Sequence, residues 1–530
     1  MLGYLEKNKY TKNTVCILFF VSIGLFVSLQ LFVTGFIDRD MLWHYKLGEE
    51  IIQTKKIIFD NHYTFLENTK WMQQEWLFDV IFYIICKYGG MIGFTLLYIC
   101  NCIFFLWITL KLNHTKHPVI YAVVFSFLFQ IFPMNRGNRP SEFSVYFVLC
   151  IVYLYWSESK YKYWLLFLLG VFLSNFHRGM IIIYACTFML LIGLDLFVDV
   201  YKKRFSGKKY YTTKLKKCFV FLFGSFLNPV GPGYLFSEGI AVWMGNSVQI
   251  SEWQPIKLNY LRAFIVLIMV FSYGWCLFKS KFARCCVQRI GLLSTFLLLS
   301  LCSGKVWIVY FILWCVFGFD YLLQFLQDIF GYIFYQYALP ENIATFPKIT
   351  WFQCCCIGFC WYLCVFGIIF VQLDGSFLTG DFLDYTNSFT SEKILDYLKN
   401  VSEKDKDVHI LTGYVQGNYL LANDIPTFVD TRYFPYGKEF GYSDAVDDLF
   451  YIRDVSNFDT KSITEFLDNY QFEYVWSTNE FRLDAYLQNS PDWECVLSDD
   501  ITKDKDETQE SEKLYEQDNS NLQYLYKRVG

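Results

Sequence analysis

Apolar runs near the length of a membrane span alternate with short polar stretches through the first 372 residues. They fall at about 14–36, 91–112, 118–134, 142–157, 163–176, 179–198, 217–228, 261–278, 288–303, 306–323 and 351–372. A spanning helix needs roughly 20 mostly apolar residues, so the pattern predicts a polytopic α-helical membrane protein with about eleven transmembrane helices. The runs at 163–176 and 217–228 are short, and losing either would reverse the sidedness of everything downstream. A further apolar run, 76–88, is set off from the next by Gly89-Gly90 and is expected to lie along the membrane surface. A second surface helix is expected over 42–58, where Leu42, Tyr45, Ile51 and Ile52 share the segment with Lys46, Glu49 and Glu50.

Past Leu373 the pattern changes to that of a soluble α/β domain. Short β-like runs (Val408 to Leu411, Thr427 to Val429, Tyr474 to Trp476, Leu522 to Tyr526) alternate with helical stretches near Glu392 to Leu398, Tyr442 to Ile452 and Ile463 to Asn469. The segment Thr502 to Asn519 is almost free of apolar residues, an insertion before the final strand. The chain thus divides into a transmembrane domain over 1–372, with an outer loop at 37–90 carrying the two surface helices, and a C-terminal domain over 373–530.

Composition supports this division. At 54% hydrophobic, 21% aromatic and a mean hydropathy of +0.28, the chain is too apolar for an ordinary soluble enzyme. Its net charge of −4 points to no nucleic-acid partner. The basic residues fall in clusters: Lys7, Lys9 and Lys12; Lys160 and Lys162; the stretch Tyr201 to Lys217, which has eight cations and no acid; and Lys279, Lys281, Arg284 and Arg289. Loops rich in Lys and Arg stay cytoplasmic. Eleven crossings put all four clusters inside, giving a plasma-membrane protein with its N-terminus inside and its C-terminal domain extracytoplasmic. The first run is longer than a signal-peptide core and is expected to stay as an anchor. Of 18 cysteines only Cys495 lies in the terminal region, which excludes an intramolecular disulfide framework there.

The same alternation places the polar interruptions of the apolar sequence on one outer face. They are Asp38 to Glu75, Asn135 to Pro140 with Arg136 and Arg139, Asn175-Phe176-His177-Arg178-Gly179, Asn228 to Gly233, Ser251-Glu252-Trp253-Gln254-Pro255, and Gly304-Lys305. Ionisable groups near a bilayer are costly, and their default reading is functional. Asp38 and Asp40 suit a general base together with a substrate or metal binder, with Arg39, Arg136, Arg139, Arg178 or Lys305 keeping the base ionised. The plainer reading makes Asp40 the N-cap of the surface helix. The cations suit the phosphate of a lipid-anchored donor; their plainer reading is snorkelling to headgroups.

The pattern Asp38-x-Asp40-x-x-Trp43-His44-x-x-x-Gly48, then Trp71-x-x-Gln74-Glu75-Trp76-Leu77, resembles the large-loop signature of bacterial multi-spanning proteins of the GT-C glycosyltransferase superfamily related to the protein mannosyltransferases. Arg139-Pro140, Asn175-x-His177-x-Gly179, Asn228-Pro229-x-Gly231, Glu252-Trp253-x-Pro255, Gly417-Asn418-Tyr419-Leu420 and Val429-Asp430-Thr431-Arg432 follow in family order. The resemblance implies a GT-C-like fold and an inverting transfer of a sugar from a polyprenyl-phosphate donor to a glycan, lipid or protein acceptor on the outer face, among membrane lipids. It makes Asp40 or Asp38 the base and the other the orienting acid. Trp43, His44, Gln74, Glu75, His177, Arg178 and Glu252 become candidate substrate-binding residues, and Arg136, Arg139 or Lys305 the phosphate holder. No cofactor is certain, a divalent metal is compatible with the acids, and no metal ligand is assigned. Arg178 stands where relatives usually have a small residue and Lys305 where they more often have Arg, which loses the bidentate fork. Two other classes compete: a lipid-linked saccharide transporter or flippase, and a non-catalytic envelope-assembly protein.

Overall fold

The computed structural model describes residues 38–67, 69, 71, 73–112, 139–204, 206–233, 260–302, 304–329, 381–432, 434–436, 445–453, 460–478, 483–501 and 522–529. The expected crossings at 14–36, 118–134 and 351–372, the insertion at 502–519, and both Arg136 and Glu252 lie outside them. The chain groups into two compact units, one built from the described residues between 97 and 329, the other from those at 38–96 and 381–529.

The described residues open with α1 (Asp40–Thr54) and α2 (Trp76–Leu112). Gly90, at φ 52° and ψ −143°, breaks α2 where the Gly89-Gly90 pair predicts an interruption. The first unit then holds α3 (Pro140–Trp156), α4 (Lys162–Phe176), α5 (Ile181–Tyr201), α6 (Lys208–Ser225), α7 (Tyr260–Lys279), α8 (Arg284–Cys302) and α9 (Gly304–Leu313). A π turn, Trp314–Gly318, continues α9 into α10 (Phe319–Ile329).

Among the described residues four helical stretches are long and apolar enough to cross a membrane: Trp76–Tyr98, Arg178–Tyr201, Arg284–Cys302 and Val306–Leu326. Three shorter apolar helices, Pro140–Trp156, Lys162–Phe176 and Ala263–Lys279, accompany them. Eleven crossings are therefore supported only in part. The candidate near the start of α2 runs through the glycine break, where the sequence suggests a surface helix at 76–88 followed by a crossing at 91–112.

Large apolar residues lie both inside and outside the first unit. Tyr146, Tyr155, Tyr184, Phe188, Phe221 and Tyr310 are buried, while Trp164, Leu168, Phe219, Phe223, Phe271 and Phe278 are exposed. That distribution suits helices solvated by lipid. α4 and α6 approach through small residues: a Cβ on Gly170 would lie 2.2 Å from the Phe221 carbonyl oxygen, and one on Gly224 2.3 Å from that of Phe167.

The basic stretch Tyr201 to Lys217 is not a loop throughout, because α6 begins at Lys208. Tertiary contact explains the difference. Lys217, fully buried, donates to the carbonyls of Leu154 (3.1 Å), Tyr155 (2.8 Å) and Ser157 (2.7 Å), and Lys214 donates to Tyr155 O at 2.8 Å. Both ammonium groups therefore cap the C-terminus of α3, where the last carbonyls lack helical partners and the dipole favours a cation. Nearby, Asp195 accepts from Tyr155, Tyr210 and Gln288, and Asp199 from Ser206, Tyr211 and Arg284.

The second unit is α/β. After α11 (Phe382–Asn387) and α12 (Glu392–Lys404) come β1 (Ile410–Thr412), α13 (Gly417–Ala422), α14 (Ala445–Arg453), α15 (Thr460–Asn469), β2 (Tyr474–Thr478), α16 (Leu483–Asn489), β3 (Trp493–Asp500) and β4 (Leu522–Arg528). The strands form one sheet in the order β1-β2-β4-β3, parallel between β1 and β2 and antiparallel elsewhere. Ser391 caps α12 by accepting from Ile394 N at 3.1 Å. β3 has no counterpart in the sequence reading.

One expectation is corrected here. Residues 427–429 form no strand; Thr427 makes one isolated parallel bridge to Thr64, and its N–H donates to the Tyr63 carbonyl at 2.9 Å. Much of the apolar side of α1 is covered by protein, while Ile52 stays exposed. Leu42 lies in a core with Ile394, Leu398, Ile410, Leu420, Trp476 and Leu525, while Trp43, Leu47 and Ile51 pack with Leu421, Tyr63 and Trp71. The amphipathic pattern is real, and protein covers much of it.

Replacing Lys217 with Met should lower the stability of the detergent-solubilised protein by about 2 kcal/mol, because three carbonyls at a helix end lose a charged donor. Thermal unfolding checks this against Lys208→Met, which removes an exposed charge and should change little; equal midpoints for the two variants would refute the capping role.

Candidate functional site

The acidic turn before α1 is built by its own side chains. Asp38 Oδ1 accepts from the Asp40 backbone N–H at 3.0 Å, and Asp38 O accepts from Met41 N at 2.9 Å. Asp40 is thus the first residue of the helix and Arg39 occupies the cap position, so the N-cap reading of Asp40 does not hold. A carboxylate in the first turn is favoured by the helix dipole.

The C-terminal residues hold this turn from outside. Thr431 Oγ1 donates to Asp40 Oδ1 at 2.5 Å. Asn418 donates to the Arg39 carbonyl at 3.0 Å and to Thr431 Oγ1 at 2.8 Å, and accepts from Thr431 N at 3.2 Å. Arg39 Nε donates to the Tyr419 hydroxyl at 3.3 Å. Backbone closeness makes this fit: a Cβ on Gly417 would lie 1.9 Å from the Val429 carbonyl oxygen.

One turn further along α1, His44 is buried between two acids. Its Nδ1 lies 2.5 Å from Asp79 Oδ1 and its Nε2 3.8 Å from Glu75 Oε2. Gln73 Nε2 donates to Asp79 Oδ2 at 2.5 Å, and the Trp43 ring stacks on the imidazole at 3.5 Å between centroids. Gln74 is half-buried beside this group, while its neighbour Gln73 makes the contact. Gly48 lets α2 approach, since a Cβ there would meet the Asp79 carbonyl oxygen at 2.1 Å.

Under the loop sits a buried ion pair. Arg432 and Asp430 have no exposed side-chain surface and pair through Nε–Oδ1 at 2.8 Å and Nη2–Oδ2 at 2.6 Å. Tyr436 donates to Asp430 Oδ2 at 2.6 Å. The guanidinium faces the Tyr63 and Trp71 rings, each 5.3 Å away, and Trp71 meets Trp43 edge-on. At the rim, Glu50 accepts from Tyr63 and lies 3.2 Å from His62 Nε2. That hydrogen bond to Glu50 raises the His62 pKa. Burial works to raise that of Glu50, but the bonds from His62 and Tyr63 outweigh it and lower it.

In the first unit the structure gathers another part of the predicted set. Arg139 stands at the N-cap position of α3 without a side-chain cap bond, and His177 Nδ1 lies 2.8 Å from Ser144 Oγ in the first turns of that helix. Arg178 is buried at the head of α5. Asn175 and Asn228 have structural work: Asn175 donates to Val171 O and Leu227 O, tying the end of α4 to the residues after α6, and Asn228 donates to Ser225 O and Gly231 O. Lys305 stands in the first turn of α9. Among the described residues no group of three His, Cys, Asp or Glu side chains is placed to hold a metal ion.

Asp79, Gln73, Asn418 and Thr431 escaped the sequence reading as site residues. Asp79 carried a signal, a lone acid inside the apolar run 76–88. Asn418 and Thr431 lay in recognised motifs but 379 and 391 residues from the positions they hold.

Helices long and apolar enough to cross a membrane, together with an α/β unit that carries an acidic loop, make a fold that solved oligosaccharyltransferase structures share. The chain is similar to the Archaeoglobus fulgidus oligosaccharyltransferase in its apo form, with a TM-score of 0.55 and 10% identity over 87% of this chain and 69% of that one. It is similar also to the archaeal oligosaccharyltransferase AglB from the same organism in complex with an inhibitory peptide and a dolichol-phosphate (0.55, 11%, 89% and 70%). A third structure, the enzyme tethered by a disulfide to an acceptor peptide containing the NVT sequon, gives 0.52, 11%, 89% and 69%. No protein-family model matches the sequence, and no curated protein does. The likeness is one of fold, and the narrower kinship with bacterial, mannosyltransferase-related proteins draws no support from these neighbours.

Removing one partner of a buried ion pair strands the other, so Asp430→Ala should cost about 3–5 kcal/mol, checked by thermal unfolding in detergent. The His62–Glu50 contact gives a pH dependence. Because the folded His62 pKa is raised, its contribution is complete below the ordinary value of 6.5 and is lost as pH climbs through the folded value. His62 is half-exposed, so the effect stays under about 1 kcal/mol. The unfolding midpoint of the wild type, relative to His62→Gln, should therefore fall as pH rises past the ordinary imidazole value of 6.5. A constant difference would refute the coupling.

Proposed function

We propose that this chain is a membrane glycosyltransferase that moves a sugar from a polyprenyl-phosphate donor to a glycan, lipid or protein acceptor on the outer face of the plasma membrane, with inversion. The reading takes the N-terminus as inside, residues 1–372 as the membrane portion and residues 373–530 as extracytoplasmic. The observation that carries it is the acidic turn at Asp38 and Asp40, held at the head of α1 in a chain whose fold is that of an oligosaccharyltransferase. The comparison structures themselves were solved with a dolichol-phosphate in one case and an acceptor peptide in another, which fits a lipid-linked donor.

In the proposed step an Asp carboxylate of the loop takes the proton of the acceptor hydroxyl as its oxygen attacks the anomeric carbon. The bond from that carbon to the phosphate oxygen breaks, and the electron pair leaves on the polyprenyl phosphate. A cation among Arg136, Arg139, Arg178 and Lys305 offsets the charge that grows there. Trp43, His44, Gln74 and Glu75 would border the sugar, with His177 and Glu252 as further candidates.

Transfer of radiolabelled sugar from polyprenyl-phosphate donors into membrane or envelope material tests the reading, with wild type, Asp38→Asn and Asp40→Asn compared at matched expression. Loss of the base should lower transfer by about 10²–10⁴-fold. Equal transfer by all three would sink the catalytic role of the loop and favour a saccharide flippase or an assembly protein. Parallel assays with and without divalent cation and chelator decide whether transfer needs an ion.

A further inference from the structure

Asp38 and Asp40 are chemically alike and two residues apart, yet their surroundings differ. Asp38 uses Oδ1 to build the turn, accepting from the Asp40 backbone. Asp40 has its carboxylate engaged through Oδ1 by a side chain from the far end of the chain, the Thr431 hydroxyl 391 residues later. Thr431 is itself set by Asn418, which donates to its Oγ1 and accepts from its N–H. The same Asn418 amide grips the Arg39 carbonyl, so one residue fixes both the backbone beneath Asp40 and the hydroxyl that touches it. Tyr419 adds a contact to the Arg39 side chain.

A carboxylate on the first turn of a helix can turn about χ1 and χ2, and reaction requires one orientation. A base oriented by a third group through a hydrogen bond is a recurrent arrangement in catalysis. The tie is also braced from behind. Gly417 packs against the Val429 carbonyl, and Arg432, next after Thr431, is locked by Asp430 and the Tyr63 and Trp71 rings.

We infer that Thr431 and Asn418 are positioning residues for Asp40, which makes Asp40 the base, Asp38 the builder of its turn, and the segment 417–432 the part of the C-terminal region that completes the site. This assignment rests on the transferase reading. It gives the C-terminal region a catalytic purpose.

The test compares wild type with Thr431→Val, Thr431→Ser and Asn418→Leu in detergent or lipid discs, reading steady-state sugar transfer and amide hydrogen exchange of residues 38–42. Thr431→Val is nearly isosteric and removes the donor. It should lower kcat about 10–100-fold while KM for the donor stays within about 2-fold, since an orienting bond acts on the reacting geometry rather than on binding. Exchange at residues 38–42 should quicken while α12 keeps its wild-type protection, which shows the unit still folded. Thr431→Ser should restore both readouts, and Asn418→Leu should repeat the Val variant in kcat and exchange.

A Val variant with wild-type kcat and exchange, or a loss that Ser does not rescue, overturns the positioning role. Wild type without transfer from any polyprenyl-phosphate sugar overturns the transferase reading, and with it the role of Asp40 as base. Wild type that transfers beside an unimpaired Val variant overturns only the inference made here.

Discussion

A guanidinium taken wholly out of water needs its charge matched, and Arg432 finds that match in Asp430. Much of the second unit depends on this pair. It sets the turn in which Thr431 faces α1, and it presents a cation to Tyr63 and Trp71, the residues that frame the far side of the first loop. Trp71 then meets Trp43, Trp43 stacks on His44, and His44 reaches Asp79. A continuous series of polar and aromatic contacts thus runs from the C-terminal segment to the start of α2. The loop is long, but little of its order comes from local structure.

The first unit meets the same physical problem at a different place. Lys214 and Lys217 are buried because the C-terminal carbonyls of α3 need donors, and Asp195 and Asp199 are accommodated because tyrosines, Gln288, Ser206 and Arg284 surround them. Charges that look on sequence like markers of sidedness also hold helices together. The two roles are compatible, since a helix end near the membrane boundary is where unpaired carbonyls and available cations coincide.

At 10–11% identity the likeness to oligosaccharyltransferase structures is one of fold alone. Function then has to be argued from the site. Here the site holds acids in a built turn, a threonine hydroxyl bonded to one of them and a buried imidazole flanked by carboxylates.

The sequence by itself determined what periodicity and composition can carry: apolar helices of membrane-crossing length, the break at Gly89-Gly90, the α/β character past Leu373, and the helices near Glu392 and Ile463. Each follows from local spacing or from the cost of placing charge beside apolar sequence. Only the tertiary structure decided that much of α1 is covered by protein, that 427–429 pairs as a single bridge rather than a strand, that Gln73 and Asp79 serve His44, and that Thr431 touches Asp40. An amphipathic face states that it must be covered and not by what. A hydrogen bond between residues 391 positions apart leaves no periodic trace, so the pairing that singles out Asp40 becomes visible when the two ends of the chain are folded together.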